Sequence, residues 1–278
     1  MLQIITDSAA DITLEEAARM NVRLVPIDIL FEDGACPQET AADFETFYQR
    51  LEKCTTLPTT SRPSPQAYAD HYLYAKMIGD DVLVLTLSSG LSGTYESAVL
   101  AKEIAQYGRV WVVDSRQAIL TQRMLVERAV QLRDAGMPVQ EIVCELEKMR
   151  ERVSVCGVLN TLKYLRMGGR IPATLAVIGE MLKIKPVIIL RDKKLQTLGK
   201  ARSYRLGTAM LHAQMEEDRF DPAQTVYFGY TSDRALAEAF MQETVSKYGL
   251  KDTRLLPVGG IIGTHCGTSC VAVAYVKQ

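Results

Sequence analysis

Extended and helical blocks alternate along the first half of the chain. LQIITDS, starting at Leu2, reads as a strand, and TLEEAARM as a short helix whose Thr13 and Glu16 stand at capping-box spacing. VRLVPIDILF is extended, with Pro26 marking an edge strand or an irregularity. In DFETFYQRLEK, Phe44, Phe47, Tyr48 and Leu51 recur on one helical face. LPTTSRPSP reads as a loop that ends in a helix start, Ser64 as N-cap and Pro65 as the first helical residue. DVLVLTL is a buried strand, TLSSGLSGTY a hydroxyl-rich turn, YESAVLAKEIAQ a helix and RVWVVDS another strand. The stretch from Ala118 to Arg152 is helical, with a break at Gly136-Met137-Pro138.

Past Arg152 the pattern changes. VSVCGVL is a strand, TLKYLRMGGRI a short helix running into a glycine loop, and PATLAVIGEMLKI an apolar helix. KPVIILRD and KLQTLGKAR pair as a hairpin across Asp192-Lys193-Lys194, which brings antiparallel neighbours into this half. SYRLGTAMLHAQMEE and DRALAEAFMQETVSKY are helical, while QTVYFGYT, TRLLPVG and CVAVAYVK are strands. The order predicts two α/β domains. Residues 1–152 hold a mostly parallel sheet with flanking helices, residues 153–278 hold a mixed sheet, and a ligand fits the crevice between them.

Composition refines this only slightly. The chain has 278 residues, 47% apolar and 23% charged, enough material for two cores. A formal charge of −1 provides no basic field for nucleic acid. MLQIITDSAADIT has neither a basic n-region nor an apolar h-region, and no apolar run approaches the ~20 residues of a spanning helix, so a cytoplasmic location is expected. Cys36, Cys54, Cys144, Cys156, Cys266 and Cys270 are scattered and read as reduced thiols. Cys266 and Cys270 beside His265 lack a second pair at finger spacing, so no metal site is expected.

TLSSGLSGTY carries the candidate chemistry. As a nucleophile elbow, G-x-S-x-G would use Gly90 and Ser92, but Thr94 stands at the closing position and Gly93 comes one residue early. A serine hydrolase using Ser92 with the downstream His265 remains the rival class. As a phosphate loop it lacks G-x-x-x-x-G-K-[ST], and G-x-G-x-x-G is absent, so no cofactor is expected. Ser92, Gly93 and Thr94 still open a helix, whose first amides attract anions. Simple capping by Ser92 or Thr94 explains one hydroxyl, not five, nor the similar cluster at Thr59, Thr60 and Ser61. Asp7-Ser8 and Asp114-Ser115 close strands and read as turn caps that line or brace a crevice.

Taken together, TDSAADI, LPTTSRPSP, SSGLSGTY, VVDS, LKYLRMGGRI, KIKPVIIL and GIIGTHCG resemble the DegV family of bacterial fatty-acid-binding proteins, in order and over nearly the whole chain. The resemblance implies two α/β domains with one long-chain fatty acid held between them. It implies a carboxyl site at Thr60 and Ser92, with Ser61, Gly93 and Thr94 beside them and His265 near the head group. Arg170 and Arg202 are expected at the pocket mouth. It implies no catalytic residue of this chain's own. The implied partner is a kinase subunit that phosphorylates the bound acid, and transient membrane contact is compatible with such a ligand. About 15 buried methylenes would contribute ~12 kcal/mol gross, so the tail supplies affinity and the head needs only paired polar groups. The chain departs from the family pattern at Arg62, where a neutral Gln is usual. It departs again at TSCVAV after GIIGTHCG, and at the RDKKLQ hairpin, which lacks Asp-Gly.

Overall fold

A computed structural model describes residues 1–171 and 184–278. PATLAVIGEMLKI, read above as an apolar helix, lies outside the described residues except for Ile184. In chain order, β1 (Leu2–Asp7) leads through α1 (Leu14–Met20) to β2 (Val22–Val25), β3 (Asp28–Phe31) and β4 (Gly34–Ala35). Then come α2 (Ala41–Lys53), β5 (Thr59–Ser61), α3 (Pro65–Ile78), β6 (Asp81–Thr86), α4 (Thr94–Ala105), β7 (Val110–Asp114), α5 (Ile119–Asp134) and α6 (Val139–Arg152). The remaining elements are β8 (Val153–Val158), α7 (Lys163–Met167), β9 (Lys185–Arg191), β10 (Lys194–Ala201), α8 (Tyr204–Glu217), β11 (Val226–Tyr230), α9 (Arg234–Tyr248), β12 (Thr253–Pro257), α10 (Gly260–Cys266) and β13 (Val271–Val276).

The first sheet is wholly parallel, in the order β2-β1-β6-β7. Helices cover both of its faces, which is why DVLVLTL reads as a continuous apolar run. One face packs Leu83 and Leu85 against Leu125, Ile142 and Leu146 of α5 and α6. The other packs Val82 and Val84 against Tyr68, Tyr72, Ala98 and Ala101 of α3 and α4. The predicted caps form: Thr13 and Glu16 make a capping box, and Ser64 caps α3 with Pro65 behind it.

The second sheet is mixed, in the order β10-β9-β8-β13-β11-β12. Only β11 and β12 run parallel; the other neighbours are antiparallel. Its outer face packs Val158, Phe228 and Tyr275 under α8 and α9. Its inner face turns Val153, Val155, Leu190, Tyr227, Ala274 and Val276 toward the first half, where they meet Ile27, Leu87, Leu120 and Met124. The hairpin turn is tighter than expected. Lys194 pairs with Arg191, so only Asp192 and Lys193 form it, both at positive φ (52° and 69°), the geometry of a primed two-residue turn.

Two elements differ from the sequence expectation. Thr59–Ser61, expected as loop, is a short strand paired with β3 in a small β4-β3-β5 sheet, because Pro26 ends β2 and lets the chain turn into new pairing. GIIGTHCG, to which the sequence pattern assigns no element, contains α10; Gly260 and Gly263 sit against the Phe47 and Tyr48 rings where side chains would not fit.

Candidate functional site

A cavity of about 330 Å³ separates the inner face of the mixed sheet from the first half. Its walls are mostly apolar: Val155, Ile188, Leu190 and Ala272 below, with Ile27, Ile119, Val258 and Ile261 above. Its polar side chains include Thr60, Arg62, Ser92, Arg170, Thr231 and His265. Thr60 Oγ1 lies 3.4 Å from His265 Nε2. His265 Nδ1 faces the backbone of Gly168. Two residues on, Arg170 donates from Nε to Leu91 O at 3.3 Å, adjacent to Ser92. The Arg62 guanidinium lies so close over Gly93 that a β-carbon there would stand 2.3 Å from Nη1. Thr60, His265, Arg170, Ser92 and Arg62 thus form a polar ring on the cavity lining.

Period-two geometry selects Thr60 within its strand. Thr60 lines the cavity, whereas Thr59 and Ser61 point outward and are exposed. Ser61, expected beside the carboxyl site, instead directs its hydroxyl toward Asp28 Oδ2 at 3.4 Å. Thr94 is fully buried behind Ser92, the two hydroxyls 2.8 Å apart, and does not line the cavity. Gly93 is the N-cap of α4 and no side chain caps that helix, so neither Ser92 nor Thr94 is spent on capping. Arg202, expected at the mouth, is exposed just past the end of β10 and is not among the described residues that line the cavity. Arg62, exposed like Arg170, lines the cavity with it.

The loop that carries Ser92 is held from three sides. Asp7 Oδ2 accepts from Leu87 N at 2.6 Å, while its Oδ1 accepts from Ala9 N and Gln122. Burial pushes the Asp7 carboxyl up to about 6, against the pull of those donors. Ser89 donates from both N and Oγ to Asp114, at 3.1 and 2.6 Å. The hairpin tip then docks on the same loop: Ser88 Oγ donates to Lys193 O at 2.9 Å, and Lys193 Nζ lies 3.0 Å from Asp114 Oδ2. Burial works to raise the Asp114 carboxyl, but Ser89, Arg116 and Lys193 together hold it below the usual range. Gly90 makes this docking possible, since a β-carbon would stand 2.3 Å from Lys193 O.

His265 occupies the last turn of α10, which also turns Ile261 and Ile262 into the cavity. Burial, and secondarily the Arg170 charge, push its pKa down to about 4, so the ring is neutral at pH 7. Its Nδ1 has no hydrogen-bond partner, and its Nε2 faces Thr60 rather than Ser92. A Ser-His-acid relay needs the base on the nucleophile and an acid on the base, and neither contact forms. Cys270 is buried and its thiol pushed up to about 11, as for a packed apolar residue.

Several site features escaped the sequence reading. Gly157 and Gly229 interrupt strand patterns, a signal for close approach of a ligand or another backbone, and both line the cavity. Asp11 offered no such signal. It is fully buried at φ 52°, neither carboxyl oxygen makes a hydrogen bond, and burial pushes it up to about 8 against the nearby Gly259 amide and Arg123. Among the described residues, no helix is long and apolar enough to cross a membrane.

The DegV family model, described as an uncharacterised protein family, matches residues 1–278. A DegV domain-containing protein of Deinococcus radiodurans is 31% identical over 278 residues, covering 98% of this chain and 97% of that protein. A Thermus thermophilus DegV family structure, described for its fatty acid binding, superposes with a TM-score of 0.89 at 30% identity. It covers 100% of this chain and 99% of that one. A DegV lipid-binding protein from Thermotoga maritima gives a TM-score of 0.88 at 27% identity, covering 100% and 98%.

Proposed function

The chain belongs to the DegV family, and from that premise we propose that it binds one long-chain fatty acid, tail in the cavity and carboxylate in the polar ring. The observation that carries this reading is the clustering of polarity: a ring of hydroxyls, imidazole and guanidinium groups on a cavity whose other walls are mainly apolar. The Thermus and Thermotoga proteins described as fatty-acid or lipid binders have the same fold at 30% and 27% identity, which supports the ligand class.

In this reading Ser92 and Thr60 donate to the carboxylate, and His265, neutral and protonated at Nε2, adds a third donor. Arg62 and Arg170 offset its charge from the rim without a bidentate clamp, so an oxygen stays free to accept a phosphoryl group. The chain itself supplies no chemistry; a separate kinase subunit phosphorylates the presented acid. The two domains divide at Arg152, where α6 passes directly into β8.

Solvent extraction of the purified protein followed by mass spectrometry tests the binding. One equivalent of fatty acid is expected, reduced in a Thr60→Val, Ser92→Ala double variant. An empty protein with Ser92-dependent ester cleavage would overturn the reading in favour of a hydrolase.

A further inference from the structure

The cavity floor has a structure that bears on which fatty acid fits. Register places Ile188, Gly157, Ala272 and Gly229 directly across β9, β8, β13 and β11. Residues in register share a face, and all four line the cavity. Two residues further along the strands, the same face carries Val155, Ala274 and Tyr227, packed into the core between the halves. A trough of small residues therefore crosses three neighbouring strands, with a filled ridge alongside. Ala272 reports that the trough is open. It lies on a strand paired along both edges, with one face under helices and the other toward the first half, yet it is only partly buried.

The two ends of the trough differ. Ile188 packs with Leu165, Leu195, Ile171 and Cys266, the last two being chain neighbours of Arg170 and His265 in the polar ring. Gly229 lies under apolar atoms: a β-carbon there would stand 3.1 Å from Leu120 Cδ1 and 3.2 Å from Val258 Cγ2. Three strand spacings put these ends about 14 Å apart.

Given the fatty-acid reading above, on which this rests, we infer that the acyl tail runs crosswise over the mixed sheet. It passes over Ile188, Gly157 and Ala272 and stops at Gly229. Ala272 and Gly229 then set the longest acid accepted, Gly229 as the end stop and Ala272 as a gate partway along. A side chain added at either position takes the place of terminal methylenes, and each methylene denied its burial lowers affinity about fourfold.

The test is a binding series with delipidated protein and saturated, unbranched acids of increasing length. Gly229→Val should lose affinity for the longest acids only. Ala272→Leu should move the cutoff to shorter chains than Gly229→Val does. Ser92→Ala, at the other end, should weaken all lengths by one common factor. Gly229→Ala and Ala272→Val provide the same ordering at smaller size, should the larger side chains prevent folding as judged by thermal unfolding. Length profiles that stay unchanged, or that fall uniformly in the Ala272 and Gly229 variants, would overturn this path while leaving fatty-acid binding intact. If the unsubstituted protein binds no acid of any length, the binding reading falls first and the path with it.

Discussion

The two halves of the molecule meet the cavity with opposite materials. The first half brings Thr60 on the short strand β5 and Ser92 on the loop after β6, with buried Asp7, Asp11, Asp114, Gln122 and Arg123 behind them. The second half brings His265 and Arg170 to the polar ring, but most of its contribution is strand faces, whose Gly157, Ala272, Ile188 and Val155 carry no polar side chain. Loops at the ends of parallel strands can aim amides and hydroxyls at a ligand, because their backbone groups are not consumed by a sheet ladder. The two halves thus present different kinds of structure to the cavity, and the hairpin tip at Lys193 docks one half on the other.

The largest test of that arrangement is the contact itself. Gly90→Val drives a side chain into Lys193 O, and such overpacking against backbone is expected to cost about 3 kcal/mol in urea unfolding. A loss near zero would mean that the halves are not fixed here. The next test removes charge from the polar half. Asp11 is raised to about 8, so its favourable neutral form is complete below the unfolded value near 3.8, and stability is lost as pH rises through 8. Asp11→Asn tolerates the left-handed backbone and should gain on the order of 2 kcal/mol at pH 9, with a flatter pH profile. An unchanged profile would show that Asp11 is solvated.

His265 has the opposite sign. Its pKa is lowered to about 4, so its contribution is present above 6.5 and lost as pH falls through 4. The stability difference between the unsubstituted protein and His265→Gln should shrink by roughly 1–2 kcal/mol across that window, followed by chemical denaturation at each pH. The smallest effect belongs to Lys193→Met. Lys193 is 39% exposed and Asp114 keeps its bonds from Ser89 and Arg116, so a loss of about 0.5 kcal/mol is expected, diminished further by salt. A larger loss would assign the docking to charge rather than to the backbone contact.

Periodicity made both sheets and their helices legible, because helices on two faces force apolar runs and hairpins force alternation. The small third sheet was not legible. A three-residue strand between prolines carries no period, and without it the outward turn of Ser61 and the inward turn of Thr60 could not be told apart. Helix α10 was hidden for a related reason: its glycines exist for packing against Phe47 and Tyr48, and glycine elsewhere signals turns. The convergence of Thr60, Ser92 and His265 came from resemblance, since residues 32 and 173 positions apart share no local pattern.

The central position of β13 has a consequence for how the protein is made. It is the last strand of the mixed sheet in chain order, yet it sits between β8 and β11. Until it inserts, both neighbours present unpaired edges of mostly apolar sequence, the kind of surface on which nascent chains aggregate. Its pairing with β8 spans more than a hundred residues, from Val158 to Val271, and such non-local closure is slow. The strand that closes those edges also carries Ala272. The aggregation-prone edges and the floor of the cavity are therefore completed by one and the same strand.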